Sequence, residues 1–200
     1  MTWPLLSALS ILYMIGILWA RRKDWHLTAY IWGSFGLAFL IIHLSLLQGW
    51  DFALAAAEAS QVRALAGIVG LDLQIVDANT LLVPDPTGWS GLRIGVECST
   101  LIEISVYAGL MVFYPRFSPR ERAGRLIVGV LSTYGLNLIR IFIIIGIVMI
   151  AGKPAVPFAH AIIGRLIYFG GVIMIYWYQL TRPTLALIRQ NIQASGRAAQ

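Results

Sequence analysis

From Leu27 to Gln48 the chain runs without an Asp, Glu, Lys or Arg, and apolar stretches with at most one such residue recur along it. A hydrocarbon core of roughly 30 Å needs about 20 apolar residues at 1.5 Å rise each, so blocks of this kind read as membrane-crossing helices. Five are predicted: Pro4–Ala20, Leu27–Gln48, Thr100–Tyr114, Leu126–Ala151 and His160–Leu180. The fourth is long enough to tilt or to break near Gly135. Residues from Phe52 to Gly70 are rich in alanine but carry Glu58, Gln61 and Arg63, and read as an interfacial helix.

Composition agrees. The chain is 58% hydrophobic and 12% charged, where soluble domains run nearer a quarter charged, which argues against a water-soluble globule and against disorder. The single cysteine, Cys98, excludes an intrachain disulfide and a multi-cysteine metal site, and His26, His43 and His160 show no ligand spacing. No cofactor or metal is expected. The net charge of +6 does not point to nucleic acid, because of where the charges sit.

Arg21, Arg22 and Lys23, then Arg116, Arg120, Arg122 and Arg125, then Arg182, Arg189 and Arg197 all fall on one side of five spans. Basic loops face the cytoplasm. The N-terminus is therefore predicted outside and the C-terminus inside a plasma or inner membrane, with lipid as a partner. The first span lacks the charged start and cleavage site of a signal peptide and is kept as a helix. Trp3, Trp19, Trp25, Trp50 and Trp177 lie near span ends, where an indole buries its ring and keeps its N–H wet.

The outer segment from Trp50 to Glu97 holds two stretches of period-two alternation, Leu71–Ile75 and Leu92–Val96, with the turn cluster Pro84–Gly88 between them. A small extracytoplasmic strand-turn-strand cap is expected. The predicted protein is thus an all-α polytopic membrane protein with such a cap. Residues 1–49 form two N-terminal helices, 50–97 the cap, 98–181 a three-helix core and 182–200 a basic cytoplasmic tail.

Three residues stand out chemically. Cys98 sits where the second strand runs into a helix, whose N-terminal partial charge favours thiolate over thiol. Thr100 and Glu103 fit a capping box that starts this helix at Leu101. Arg140 lies inside an apolar run, at a cost of at least about 2.5 kcal/mol at bilayer depth, so something must compensate it. At 100° per residue Gly129, Thr133, Asn137 and Arg140 share one face, which must point inward. His160 opens the fifth span, with Gly164 and Gly171 on its face. Counted from the cytoplasmic ends, Cys98, Arg140 and His160 lie roughly 24, 21 and 30 Å up, all in the outer part of the membrane. Thiolate, imidazole and guanidinium suffice for acyl transfer. Glu103 and Arg165 form either a buried ion pair between two spans or, for Glu103, the capping box; a Glu103–Arg140 pair is a third possibility.

The run Val96-Glu97-Cys98-Ser99-Thr100, then Asn137-Leu138-Ile139-Arg140, then His160-Ala161-Ile162-Ile163-Gly164, on three successive apolar segments, resembles the exosortase and archaeosortase family. These are membrane-embedded transpeptidases that process surface proteins bearing a C-terminal sorting signal: a short motif, a transmembrane helix and a basic tail. The resemblance covers about Gly95 to Tyr178. It implies Cys98 as nucleophile, Arg140 as stabiliser of thiolate and transition state, His160 as proton-transfer residue, and a membrane-borne protein substrate. Three features depart from the family pattern. Ser99-Thr100 follows the cysteine where Ser-Gly is common, only two spans precede the core, and Glu97 adjoins Cys98, where a carboxylate opposes the thiolate. Two other readings compete: a transporter subunit in which Arg140 binds an anion, and a noncatalytic assembly or export factor that docks through the cap.

Overall fold

The structure is a computed structural model that describes residues 3–96 and 98–198. In chain order the elements are helices α1 (Trp3–Arg22), α2 (His26–Gln48) and α3 (Trp50–Ile68), strands β1 (Gln74–Asp77), β2 (Thr80–Asp85) and β3 (Gly88–Arg93), and helices α4 (Leu101–Phe113) and α5 (Pro119–Ala151). A terminal helical stretch follows, with α6 (Val156–Phe158), α7 (Gly164–Tyr176) and α8 (Arg182–Ala198) joined through two π-helical turns. Contacts divide the chain into two units, one formed by the chain up to Gln48 with Leu101–Val130, the other by Gly49–Thr100 with the chain from Leu131 onward.

In the first unit α2 and α4 pack through small residues. A Cβ on Gly109 would run into the backbone carbonyl of Ser34, and one on Gly33 into the ring of Phe113. Small residues let two apolar helices approach closely where there is no hydrophobic drive to hold them together. α5 begins in this unit with a capping box: Ser118 N–H donates to Glu121 Oε2 at 3.0 Å and the Glu121 N–H returns to Ser118 Oγ at 3.3 Å, with Pro119 at the first helical position. That signal starts the helix seven residues ahead of the predicted Leu126, so the helix extends beyond its apolar run. Gly129 closes on Tyr107, whose hydroxyl donates to the Arg125 carbonyl at 2.8 Å.

Among the described residues, three helical stretches are long and apolar enough to cross a membrane: His26–Gln48, Pro119–Ala151 and Lys153–Ala186. Exposed Trp32, Phe35, Phe39, Leu131, Ile150, Leu166, Phe169 and Ile173 give them the apolar surface that lipid requires. Ile11–Ala20 and α4 are shorter apolar helices; the 13 residues of α4 cover about 20 Å of a core of roughly 30 Å.

The second unit holds α3, the sheet and the site. The sheet is a three-stranded antiparallel meander in the order β1-β2-β3, not the predicted strand-turn-strand. The middle strand β2 escapes pattern reading because Leu81, Leu82 and Val83 are all apolar and Pro84 follows. Pro84 fits because β1 pairs only as far as Leu82, leaving Pro84 one neighbour, Trp89. Of the predicted turn Pro84–Gly88 only Pro86 and Thr87 lie outside strands. Asp85 accepts from the Thr87 N–H and hydroxyl, both at 2.6 Å, and from the Ser90 hydroxyl. These donors, Ser90 first and then Thr87, hold its carboxyl below the ordinary carboxylate range.

Behind the sheet lies an apolar core in which Ala55, Ala59, Val62 and Ala66 of α3 meet Leu81, Val83, Leu92 and Ile94, and Ile141, Ile144, Ile145 and Val148 of α5 join them. α5 does not break near Gly135; it is continuous over 33 residues. The chain turns at Gly152, whose φ of 74° a side chain would strain, and enters the terminal helical stretch. That stretch does not end near Leu180. It runs on as α8, which is where the expected basic tail lies.

Candidate functional site

β3 ends at Arg93, earlier than the predicted Val96, and the next residues form a tight turn instead of running straight into a helix. Asn79 anchors the strand exit: its Nδ2 donates to the Ile94 carbonyl at 2.9 Å, and the Ile94 N–H donates to the Asn79 carbonyl at 2.8 Å. The N–H groups of Cys98 and Ser99 then both donate to the Gly95 carbonyl, at 2.9 and 2.8 Å. Ser99 Oγ donates to the Val96 carbonyl at 3.1 Å, so this buried hydroxyl locks the turn that carries Cys98. Glu97, expected to oppose the thiolate, lies outside the described residues.

Cys98, Arg140 and His160 come together. Cys98 Sγ lies 3.2 Å from His160 Nε2 and 3.4 Å from Nδ1. Arg140 Nη2 donates to the same sulfur in a long contact of 3.9 Å. His160 sits in the π-helical turn Ala159–Ile163, a local widening that resets which way the imidazole faces relative to the rest of the helix. Arg140 is 3% exposed, and its Cζ lies 5.2 Å from the centre of the Tyr168 ring, close enough for a cation–π contact. The predicted stripe on α5 is inward throughout, with Gly129, Thr133, Asn137 and Arg140 all buried.

Asn137 has a direct role at this turn. Its Nδ2 donates to the Cys98 backbone carbonyl at 2.8 Å, tying α5 to the residue that carries the sulfur.

α4 begins at Leu101, the predicted start, and the Thr100 N–H and hydroxyl both go to Glu58 Oε1, at 3.2 and 2.9 Å. A carboxylate from another helix thus accepts from Thr100, while Glu103 occupies the first turn of α4 and is half-buried. Arg165 is exposed on the second residue of α7.

Glu58 is the site residue that sequence reading missed. It is fully buried, although its charge is part of what makes the sequence read as an interfacial helix here. The available signal was its place on the α3 face shared by Ala55, Ala59, Val62 and Ala66, three, one, four and eight residues away. Burial, the largest influence, pushes its carboxyl above the ordinary carboxylate range; Thr100, Asn137 and the Arg140 charge act in the other direction.

Among the described residues no group of three or more His, Cys, Asp and Glu side chains could hold a metal ion. The arrangement places an imidazole and a guanidinium each within contact distance of the Cys98 sulfur. Set against known proteins, the chain matches no family model, and no curated protein or solved structure is significantly similar to it.

Proposed function

We propose that this protein is a membrane-embedded cysteine transpeptidase or protease, similar to exosortases and archaeosortases, that cleaves a C-terminal sorting signal from surface-targeted proteins. The observation that carries the reading is the meeting of the sole cysteine with an imidazole at 3.2 Å and a buried guanidinium at 3.9 Å. In this reading all five apolar helices cross a plasma or inner membrane, α1 and α4 with help from flanking residues. The sheet lies on the extracytoplasmic side and α8 in the cytoplasm.

His160 takes the Cys98 thiol proton, and the sulfur attacks the carbonyl carbon of the scissile peptide bond. The guanidinium of Arg140 answers first the thiolate and then the oxyanion, in surroundings dry enough to make that attraction strong. The C–N bond breaks, His160 returns its proton to the departing amine, and a thioester links Cys98 to the shortened substrate. A second nucleophile, water or an amine, gives its proton to His160, attacks the thioester and releases the thiol. The substrate reaches Cys98 as a helix lying in the lipid.

The test compares membrane-protein C-termini, mapped by mass spectrometry, in cells carrying the protein or its Cys98→Ala variant at matched abundance. Cells with the variant should retain full-length proteins that end in an apolar helix and a basic tail. Identical C-termini in the two strains would sink the assignment and favour an assembly or transport role.

A further inference from the structure

A guanidinium inside an apolar run has to be compensated, and among the described residues no carboxylate makes an ion pair with Arg140. Glu58 acts on it through its charge, but the Glu58 Oε1 accepts from Thr100 and its Oε2 makes no hydrogen bond. The Nε of Arg140 is buried and also makes no hydrogen bond, and its Nη2 reaches the Cys98 sulfur only at 3.9 Å. What lies against the cation is the ring of Tyr168, itself 3% exposed, with its centre 5.2 Å from Cζ.

An aromatic face holds a cation differently from a carboxylate. It attracts through the negative face of the ring, most strongly where water is excluded, and it neither takes up the N–H donors in the guanidinium plane nor cancels the charge. A carboxylate paired fork to fork would do both. A guanidinium held by a ring therefore keeps its charge and its donors for the sulfur beside it.

The backbone explains why this ring is in place. His160 and Tyr168 stand on one helical stretch, and at 100° per residue their spacing would turn Tyr168 about 80° away from the imidazole. The π-helical turn Ala159–Ile163 takes up one residue more than an α-turn, which brings the ring back by about 100°. The two aromatic rings then share a face of this stretch, one against Cys98 and one against Arg140.

Resting on the reading of Cys98 as nucleophile, we infer that Tyr168 is a positioning residue, whose ring face holds the Arg140 guanidinium beside the Cys98 sulfur and leaves its charge free to stabilise the thiolate. The charged and titratable groups around that cation are Cys98, Tyr168 and, from α3, Glu58; His160 faces the same sulfur.

Cys98 is the only cysteine in the chain, so alkylation of the purified full-length protein in detergent by iodoacetamide reads this one sulfur. The rate is followed by intact mass from mildly acidic to alkaline pH. Tyr168→Phe keeps the ring and should keep the native pH profile. Tyr168→Leu keeps apolar bulk without a π face; it should move the midpoint of the profile up by about one pH unit and slow the reaction at neutral pH roughly tenfold. In an Arg140→Gln background, already slow, Tyr168→Leu should add nothing, because the ring acts through the cation. Replacing Tyr168 by a trifluorinated phenylalanine keeps the ring but drains its negative face, and should move the profile in the same direction as Tyr168→Leu. A Tyr168→Phe protein as slow as Tyr168→Leu, a Tyr168→Leu protein with the native profile, or equal slowing with and without Arg140 would each overturn the inference. If Tyr168→Leu does not fold, the comparison of phenylalanine with its fluorinated form decides alone, and equal profiles for those two would overturn it. No substrate enters this assay. Unaltered C-termini in the cellular test, beside the expected alkylation pattern, would reject the transpeptidase and leave the hold of Tyr168 on Arg140 standing.

Discussion

Asn137 shows how a single residue sets the geometry of the site. Its Nδ2 donates to the Cys98 carbonyl, and both residues are buried, so Asn137→Ala would leave that carbonyl without this donor. A loss of about 1–3 kcal/mol in stability is expected, together with slower alkylation of Cys98. Thermal unfolding of the purified variant checks the first effect, and an unchanged melting temperature would contradict it. Cys98, Arg140 and His160 were legible in the sequence because each is chemically rare where it stands. A sole cysteine, a guanidinium in an apolar run and an imidazole at a helix start each demand an explanation. Glu58 was not legible, because a carboxylate in an alanine-rich helix reads as the solvated face of that helix. Only its helical phase with four buried small residues marks it as inward, and Thr100, its main partner, is 42 positions away.

At the scale of elements, glycines separate contact from tolerance. Gly109 of α4 faces the Ser34 backbone of α2, which cannot yield as a flexible side chain would. Gly109→Ala is expected to destabilise by about 1–3 kcal/mol through overpacking. Gly135 of α5 has no atom within 4 Å of where its Cβ would be, and its helix is unbroken there. Gly135→Ala should therefore be neutral or stabilise by up to about 1 kcal/mol. Unfolding of the two variants side by side checks both, and equal destabilisation would contradict the packing described. The apolar helices were readable from their length and uniformity. The sheet was read less well because strand β2 has no clean alternation, and its pairing with β1 and β3 is a long-range property. The π-turn that carries His160 leaves no mark in the periodicity of Ala159–Ile163.

For the whole molecule, the sequence conveys a helical chain with long apolar spans but not its partition. α4 groups with α2 and with α5 as far as Val130, and Gly109 against the Ser34 backbone and Gly33 against Phe113 bring α2 and α4 close together. The proposed sidedness follows from the basic loops and has its own test. In a Cys98→Ala background, Asp85→Cys should react with an impermeant thiol reagent on intact cells and Arg120→Cys should not; the reverse pattern would place the site on the cytoplasmic face. The central claim, a thioester between Cys98 and a shortened substrate, is tested most directly by hydroxylamine. Added to membranes in which the protein is active, it should intercept the thioester and leave a hydroxamate on the new C-terminus of the substrate. The account predicts that hydroxamate in the native protein and neither hydroxamate nor cleavage with Cys98→Ala. Cleavage that yields only a free carboxylate and persists in Cys98→Ala would contradict it.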